Sequence, residues 1–157
     1  MNHQNEADAE EKKKMEWPWK KKLVMVSNRL PITVENTEGK VSDWPFRESS
    51  GGLAAVISSV REHFDFVWVG SAGIHIPLAD RPAFGKRLKE EHNCIPVYLE
   101  PDIEDLHYNG FSNSVIWPLF HYMMDQIYFT RAFWDGYRTA NQEFAKCLIQ
   151  QFSVRFI

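Results

Sequence analysis

Residues 108–122 have the side chains best suited to bind a sugar. The stretch reads YNGFSNSVIWPLFHY and has no Asp, Glu, Lys or Arg, but five aromatic side chains together with amides, hydroxyls and an imidazole. Aromatic rings stack on the apolar face of a pyranose, and short polar side chains hydrogen-bond its hydroxyls. The same composition also fits an aromatic core segment whose Asn and Ser residues form caps and turns. Taken alone, the stretch leaves both interpretations open.

Two features nearer the N-terminus could bind phosphate. Arg29 closely follows the apolar run of residues 23–26, and Gly51-Gly52 precedes a segment with apolar residues at helical spacing. A guanidinium matches a phosphate as a planar fork, and a glycine turn before a helix brings bare backbone N–H groups close to an anion. A surface ion pair for Arg29 and a tight strand-to-helix turn for the glycines are the structural alternatives.

The elements that would position these residues alternate between strand and helix. Short apolar runs predict buried strands at residues 23–26, 66–70 and 95–99, and Pro96 places the last of them at an edge. Residues 32–46 are interpreted as an irregular hairpin or an excursion from the sheet. Apolar residues at spacings of three and four predict helices after Ser49 or Ser50, from about Asp80 to Asn93, and from about Ala132 to Gln151. Strands interleaved with helices predict a three-layer, mainly parallel α/β sheet of Rossmann-like type. In such a sheet, ligands bind outside the carboxyl ends of the strands, where Arg29 and the glycine turn are expected.

Composition excludes several classes of function. The 157 residues correspond to one domain, 44% of them are hydrophobic, and the formal net charge is −3. No basic face is clustered in sequence from Leu23 onward, which gives no support for a nucleic-acid or membrane partner. Cys94 and Cys147 form no metal-binding spacing and are interpreted as reduced, buried thiols. Without an apolar run long enough for a membrane span or a signal peptide, the expected location is cytoplasmic.

Residues 1–22 differ from the rest of the chain. They are polar and acidic at first, and then two lysine triplets flank the segment Met-Glu-Trp-Pro-Trp. Too little aliphatic content is available to offset the entropy of ordering, so the segment is interpreted as a disordered tail. A docking peptide with the two Trp residues as anchors is the functional alternative. The predicted domain therefore covers residues 23–157.

Several short blocks, in the same order and at similar spacing, resemble the first part of trehalose-6-phosphate synthase. They are Val26-Ser27-Asn28-Arg29-Leu30-Pro31, Ser50-Gly51-Gly52-Leu53, Trp68-Val69-Gly70, residues 108–122, and Trp134-Asp135-Gly136-Tyr137 with Asn141 and Phe144-Ala145. The resemblance extends from Leu23 to about Phe152. It implies the N-terminal half of a two-domain glycosyltransferase fold, whose reaction transfers glucose from UDP-glucose to glucose 6-phosphate with retention of configuration.

The resemblance also implies roles for individual residues. Arg29 matches the arginine that holds the phosphate of glucose 6-phosphate, and Tyr108 and Trp117 match aromatics that line the same acceptor pocket. Gly51 and Gly52 match the loop that approaches the donor diphosphate. No metal or cofactor is implied, because cationic side chains and helix N-termini stabilise the leaving diphosphate in this family. No catalytic residue is implied within this chain.

The sequence departs from the family pattern at three places. Ser71 follows Gly70 where the family usually has a second aromatic residue, and His107 stands where a Tyr commonly precedes Tyr108. The sequence ends at Ile157, before the His-Asp block and the donor-binding domain of the family. We therefore expect a fragment that is inactive by itself. The alternatives are a non-catalytic subunit that assembles with full-length synthase subunits and a free-standing sugar-phosphate binding module.

Overall fold

The computed structural model of the chain describes residues 22–35, 39–49 and 65–152. The predicted tail before Lys22, the predicted helix after Ser49 or Ser50, and Gly51 and Gly52 lie outside these residues. Five strands are present in the described part: β1 (Lys22–Arg29), β2 (Ile32–Val34), β3 (Phe46–Glu48), β4 (Asp65–Ser71) and β5 (Cys94–Val97). The antiparallel pair β2 and β3 confirms the hairpin predicted for residues 32–46.

The described α-helices follow β4 in the chain. They are α1 (Arg81–His92), α2 (Pro101–Asp105), a π-helix (Leu106–Ile116), α3 (Trp117–Phe120) and α4 (Arg131–Gln151), with 3-10 turns at Val41–Asp43 and Met124–Gln126. Helix α1 ends at Asn93, whose left-handed φ of 55° is the usual C-terminal stop. At the start of α4, the Thr130 hydroxyl accepts a hydrogen bond from the Phe133 N–H at 3.2 Å. Both helices confirm their predicted positions.

The central sheet is the middle one of three layers. Strands β1, β4 and β5 pair in parallel in that order. On one face, Trp68 and Cys94 pack with Phe84 and Leu88 of α1. On the other face, side chains of β4 and β5 pack with two residues of α4: Val67, Val69, Ile95 and Val97 face Ala140 and Phe144. The predicted three-layer, parallel α/β architecture is therefore confirmed.

The expectation of burial on both faces is wrong for β1. Leu23, Val24 and Val26 are exposed by 41%, 37% and 50%, whereas β4 is buried from Phe66 to Ser71. The number of neighbouring strands does not explain the difference, since β5 also has a single described neighbour and is buried. The described helices α1 and α4 pack on side chains of β4 and β5, and Leu23, Val24 and Val26 belong to neither of these clusters. No helix among the described residues is long and apolar enough to cross a bilayer.

Candidate functional site

Arg29 lies at the carboxyl end of β1, where the backbone leaves the regular register. The pairing of β1 with β4 shifts between Val26 and Arg29. Gly70 of β4 makes this close approach possible, since a Cβ atom there would lie 2.8 Å from both the Arg29 carbonyl carbon and the Leu30 nitrogen. The Leu30 N–H then donates to the Ser71 carbonyl at 2.9 Å. The backbone at Arg29 is thus held by the neighbouring strand.

Two hydrogen bonds behind the strand explain the serine of the Ser-Asn-Arg sequence. The Trp68 indole Nε1 donates to the Ser27 hydroxyl at 2.7 Å, and that hydroxyl donates to the Arg29 carbonyl at 2.6 Å. Since Trp68 is 2% exposed, these hydrogen bonds are anchored in the core. Core packing therefore fixes the backbone from which the Arg29 side chain extends.

The Arg29 side chain itself remains open to solvent. It is 62% exposed, and its Nε lies 3.8 Å from Oε1 of Glu104. This separation exceeds hydrogen-bonding distance, so the two groups attract by charge rather than by a directed bond. Gly73, in a left-handed conformation at φ 73°, faces the guanidinium, and a Cβ there would lie 3.4 Å from Cζ of Arg29. The Arg29 guanidinium therefore lies near the Glu104 carboxylate on one side and is otherwise largely exposed to solvent.

Ser71 and Glu104 form a relay beside Arg29 that sequence reasoning missed. The Gly73 N–H donates to the Ser71 hydroxyl at 3.0 Å, and this hydroxyl donates to Glu104 Oε1 at 3.0 Å. Ser71 is 4% exposed and the Glu104 side chain 16%, so the carboxylate is largely fixed. The run of small residues after β4 was a signal for a polar turn, whereas nothing in the sequence distinguished Glu104. Ser71, which departs from the family pattern, joins β4 to α2.

A hollow of about 300 Å³ lies beside Arg29, between the β2–β3 hairpin and the turn after β4. Its size is at the lower end of small-molecule pockets. Its described lining is mainly apolar with Arg29, Thr33 and Ser49 as polar groups, and it contains neither Tyr108 nor Trp117. The described hollow thus includes one of the predicted acceptor-site residues.

Tyr108 and Trp117 lie in and directly after the π-helix, which sequence reasoning did not foresee. Tyr108 is 42% exposed and Trp117 57%, and the Trp117 ring stacks on His121 at 3.8 Å between centroids. Both side chains therefore present surface to solvent, as a stacking platform requires. Wide turns of the π type occur often at functional sites because they redirect side chains. Helix α2 connects this segment to Arg29 through Glu104.

His107 lies behind the exposed aromatics and is 8% exposed. Its ring contacts Tyr137 and Phe144 at 5.5 and 6.5 Å between centroids, and its Nδ1 has no hydrogen-bond partner among the described residues. Burial lowers the pKa of His107 below its ordinary 6.5, although the Glu104 carboxylate acts in the opposite direction. His107 is therefore neutral at physiological pH and packs as a ring between the π-helix and α4.

Gly51 and Gly52, predicted to approach the donor diphosphate, lie outside the described residues. In the described part of the chain, no group of three or more His, Cys, Asp or Glu side chains could hold a metal ion. Cys94 and Cys147 do not form a disulfide; Cys94 is buried as predicted, while Cys147 is only partly buried.

The chain belongs to glycosyltransferase family 20, since the profile of that family matches residues 21–154. This confirms the family resemblance noted in the sequence. The match includes Arg29, Tyr108 and Trp117.

The chain is also similar to individual trehalose-phosphate synthases. An alpha,alpha-trehalose-phosphate synthase (UDP-forming) of Emericella nidulans is 44% identical over 130 residues, which cover 83% of this chain and 25% of that protein. A protein of the same description from Schizosaccharomyces pombe is 42% identical over the same shares. The chain thus spans about a quarter of the length of these relatives.

Solved structures agree with this fold. A trehalose-6-phosphate protein from E. coli bound with UDP-2-fluoro glucose is 27% identical with a TM-score of 0.56, over 83% of this chain and 25% of that one. The alpha,alpha-trehalose 6-phosphate synthase of Burkholderia multivorans is 28% identical with a TM-score of 0.56, over 83% and 26%.

Proposed function

We propose that this chain is the N-terminal, acceptor-side part of a UDP-forming trehalose-phosphate synthase. In the proposed reaction, glucose passes from UDP-glucose to glucose 6-phosphate, giving trehalose 6-phosphate and UDP. The observation that carries the proposal is the family match along nearly the whole described chain, with an exposed Arg29 at the carboxyl end of β1. Residues 23–157 form part of the acceptor-side domain in this proposal.

The proposed binding roles follow the chemistry of each group. The Arg29 guanidinium receives the acceptor phosphate, because its two Nη groups can form a charge-assisted fork. Tyr108 and Trp117 present their rings to the hexose. Gly51 and Gly52 approach the donor diphosphate through bare backbone. Position supports the role of Arg29. Helices α1 and α4 cover opposite faces of the sheet. Because crossover connections between parallel strands are right-handed, a strand that followed α4 would pair with the open side of β1. The strand order would then reverse at β1, and ligands of such sheets bind at the carboxyl ends of the strands where the order reverses.

The chain alone is expected to bind the acceptor without catalysing transfer. Retaining transfer needs donor and acceptor held face to face and positive charge on the leaving diphosphate. In this proposal those groups belong to the donor-binding domain. Trehalose 6-phosphate formed by the purified chain from UDP-glucose and glucose 6-phosphate would contradict this expectation.

Binding of glucose 6-phosphate by Arg29 tests the proposal. We expect Arg29→Ala to weaken the affinity about tenfold or more, as expected for a lost charge-assisted hydrogen-bonded pair. Isothermal titration calorimetry measures it. Arg47→Ala is the matched control, because Arg47 is also an exposed, ion-paired arginine, 70% exposed and 3.0 Å from Glu35, but lies on the hairpin outside the hollow. Equal affinities for the two variants would overturn the role of Arg29.

A second candidate function is an assembly subunit that pairs with full-length synthase chains. The exposed apolar side chains of β1, namely Leu23, Val24 and Val26, favour it, since an open strand edge can pair with a strand of another chain. Stable co-purification with a full-length synthase at micromolar concentration would support this candidate, and a chain that stays alone would exclude it. We also propose a cytosolic location, where the reducing environment suits two cysteines that do not pair.

A further inference from the structure

A groove of about 520 Å³ runs along the open side of β5, between helices α1 and α4. It is larger than the hollow at Arg29 and shares none of that hollow's described lining residues. Its volume lies in the range of small-molecule sites. Its floor is formed mainly by apolar groups of and around β5: Ile95, Pro96, Val97, Tyr98 and Cys147.

Four cationic side chains line this groove against one carboxylate. The cations are Arg81, Lys86, Lys89 and Lys146, and the carboxylate is Glu143. The lining therefore carries a formal charge of +3, from four positive groups and one negative group. Two carboxylates outside the lining, Glu100 and Glu90, pair with Arg81 and Lys86 and reduce the local positive charge. A concave site lined by one sign of charge concentrates ions of the opposite sign.

The ion pairs of Lys86 and Lys146 lie at the surface and can be replaced by a ligand. Lys86 is 74% exposed and lies 3.9 Å from Glu90, and Lys146 is 64% exposed and lies 2.6 Å from Glu143. Exposed pairs of this kind are weak and screened, so a multivalent anion that bridges several ammonium groups can replace them.

Two neutral groups shape the floor without adding negative charge. Burial raises the pKa of Tyr98 to about 12, so its phenol stays protonated and donates to the Arg81 carbonyl at 2.8 Å. Burial also raises the pKa of the Cys147 thiol. Gly85 in the middle of α1 leaves room for the phenol, since a Cβ there would lie 3.1 Å from the Tyr98 hydroxyl. A glycine inside a helix costs stability relative to alanine, and here it opens the groove wall.

Protection of the sheet edge does not explain this arrangement. Pro96 lacks an N–H and already blunts the outer side of β5. Cations on α1 and α4, which pack on opposite faces of the sheet, are not needed for that purpose.

We propose that this groove binds a multiply charged phosphate compound, through the chain of two or three phosphates found in nucleotides and in inorganic polyphosphates. The lysine ammonium groups contact the phosphate oxygens as point charges, and the apolar floor accommodates any attached ring. This site is independent of the acceptor site proposed at Arg29.

Calorimetric titration of the full chain with inorganic triphosphate, and separately with ATP, tests the proposal at about 50 mM salt, where screening is modest. We expect both to bind, with affinity falling as salt rises. Similar affinities would show that the phosphate chain is recognised, and tighter binding of ATP would show that the nucleoside also contributes.

The triple variant Lys86→Gln, Lys89→Gln, Lys146→Gln should bind triphosphate about tenfold or more weakly, since each lost exposed contact contributes up to about fivefold. Arg47→Gln is the control for loss of one exposed, paired cation elsewhere. Arg29→Ala should leave triphosphate binding within about twofold, and the triple variant should keep its affinity for glucose 6-phosphate. The two sites can therefore fail separately. Absence of binding at millimolar triphosphate, unchanged affinity in the triple variant, or loss of binding in Arg29→Ala would each overturn the proposal.

Discussion

The two cationic regions of this protein are built in different ways. Arg29 is a single guanidinium at a strand end, and its backbone is fixed by contacts with Gly70, Leu30 and the buried Trp68. The groove beside β5 instead collects long side chains from two helices, and its lysines are mostly exposed. The backbone position of Arg29 is therefore set by core contacts, whereas the positive charge of the groove depends on how many cations line it.

This difference determines how each region should respond to change. The backbone at Arg29 is fixed, so binding there has to order only one exposed side chain. Flexible lysines must be ordered by the ligand and act through summed charge, which salt screens. Substitutions in the core should therefore affect the Arg29 region, and only surface charge changes should affect the groove.

The largest expected effect comes from Gly70→Ala. The added Cβ would lie 2.8 Å from backbone atoms of Arg29 and Leu30, which cannot move aside as a side-chain tip can. We expect a loss of about 1–3 kcal/mol in the free energy of unfolding, as for overpacked cores, together with weaker binding of glucose 6-phosphate. Urea denaturation and calorimetry measure the two effects.

Val26→Ala on the same strand serves as the control, because Val26 is 50% exposed and its truncation should cost little. Triphosphate binding in the groove should survive Gly70→Ala under native conditions. If Gly70→Ala were as stable as Val26→Ala and bound glucose 6-phosphate normally, the backbone at Arg29 would not depend on this contact.

A second prediction concerns pH and the buried contacts behind the aromatic segment. The pKa of His107 is lower in the folded protein than its ordinary 6.5, so the unfolded chain binds the extra proton more readily. The contribution of neutral His107 is complete above pH 6.5 and is lost as the pH falls below 6.5 towards the lowered pKa. His107→Phe keeps a ring against Tyr137 and Phe144. As the pH falls below 6.5, the free energy of unfolding of this variant should decrease less than that of the wild type.

Chemical denaturation between about pH 7.5 and 5.5 compares the two proteins. His75→Gln is the control, since the His75 side chain is 50% exposed. The same pH dependence in wild type and His107→Phe would show that another group is responsible.

The smallest expected effect comes from replacing one carboxylate at a time, either beside Arg29 or beside the groove. Glu104 lies 3.8 Å from Arg29, and Glu100 lies 3.3 Å from Arg81 at the groove. At an exposed cation such as Arg29, 62% exposed, a partner of this kind contributes at most about 1 kcal/mol, so Glu104→Gln should tighten binding of glucose 6-phosphate about two- to fivefold by removing a competing charge. Glu100→Gln should tighten only triphosphate binding. Weaker binding of glucose 6-phosphate by Glu104→Gln would mean that the carboxylate mainly orients Arg29.

The elements with strong periodicity were predictable from the sequence. Strand β4, helix α1, strand β5 and helix α4 lie where apolar spacing, Pro82 and Pro96 placed them. The helical conformation of residues 101–120 was not foreseen, because aromatic, Asn, Ser and Gly residues obscure a helical pattern. Exposure of β1 was also missed, since a short apolar run does not reveal which strands the helices cover.

The residues of the candidate sites also differ in how far the sequence predicts them. Arg29 could be selected because it follows a predicted strand in a recognisable block. Glu104 could not, since its contact with Ser71 spans 33 positions and depends on tertiary structure. The groove could not be predicted from the sequence for the same reason, because Lys86 and Lys146 are distant in sequence although both line one cavity.

The contact between Arg29 and the acceptor phosphate can be observed directly by NMR of arginine Nε–H groups. The Arg29 signal is assigned by its absence in Arg29→Lys, and the Arg81 signal in the groove serves as an internal reference. We predict that saturating glucose 6-phosphate shifts the Arg29 signal, leaves that of Arg81 in place, and that unphosphorylated glucose shifts neither. An Arg29 signal that stays unchanged while glucose 6-phosphate binds would contradict the assignment of the acceptor site.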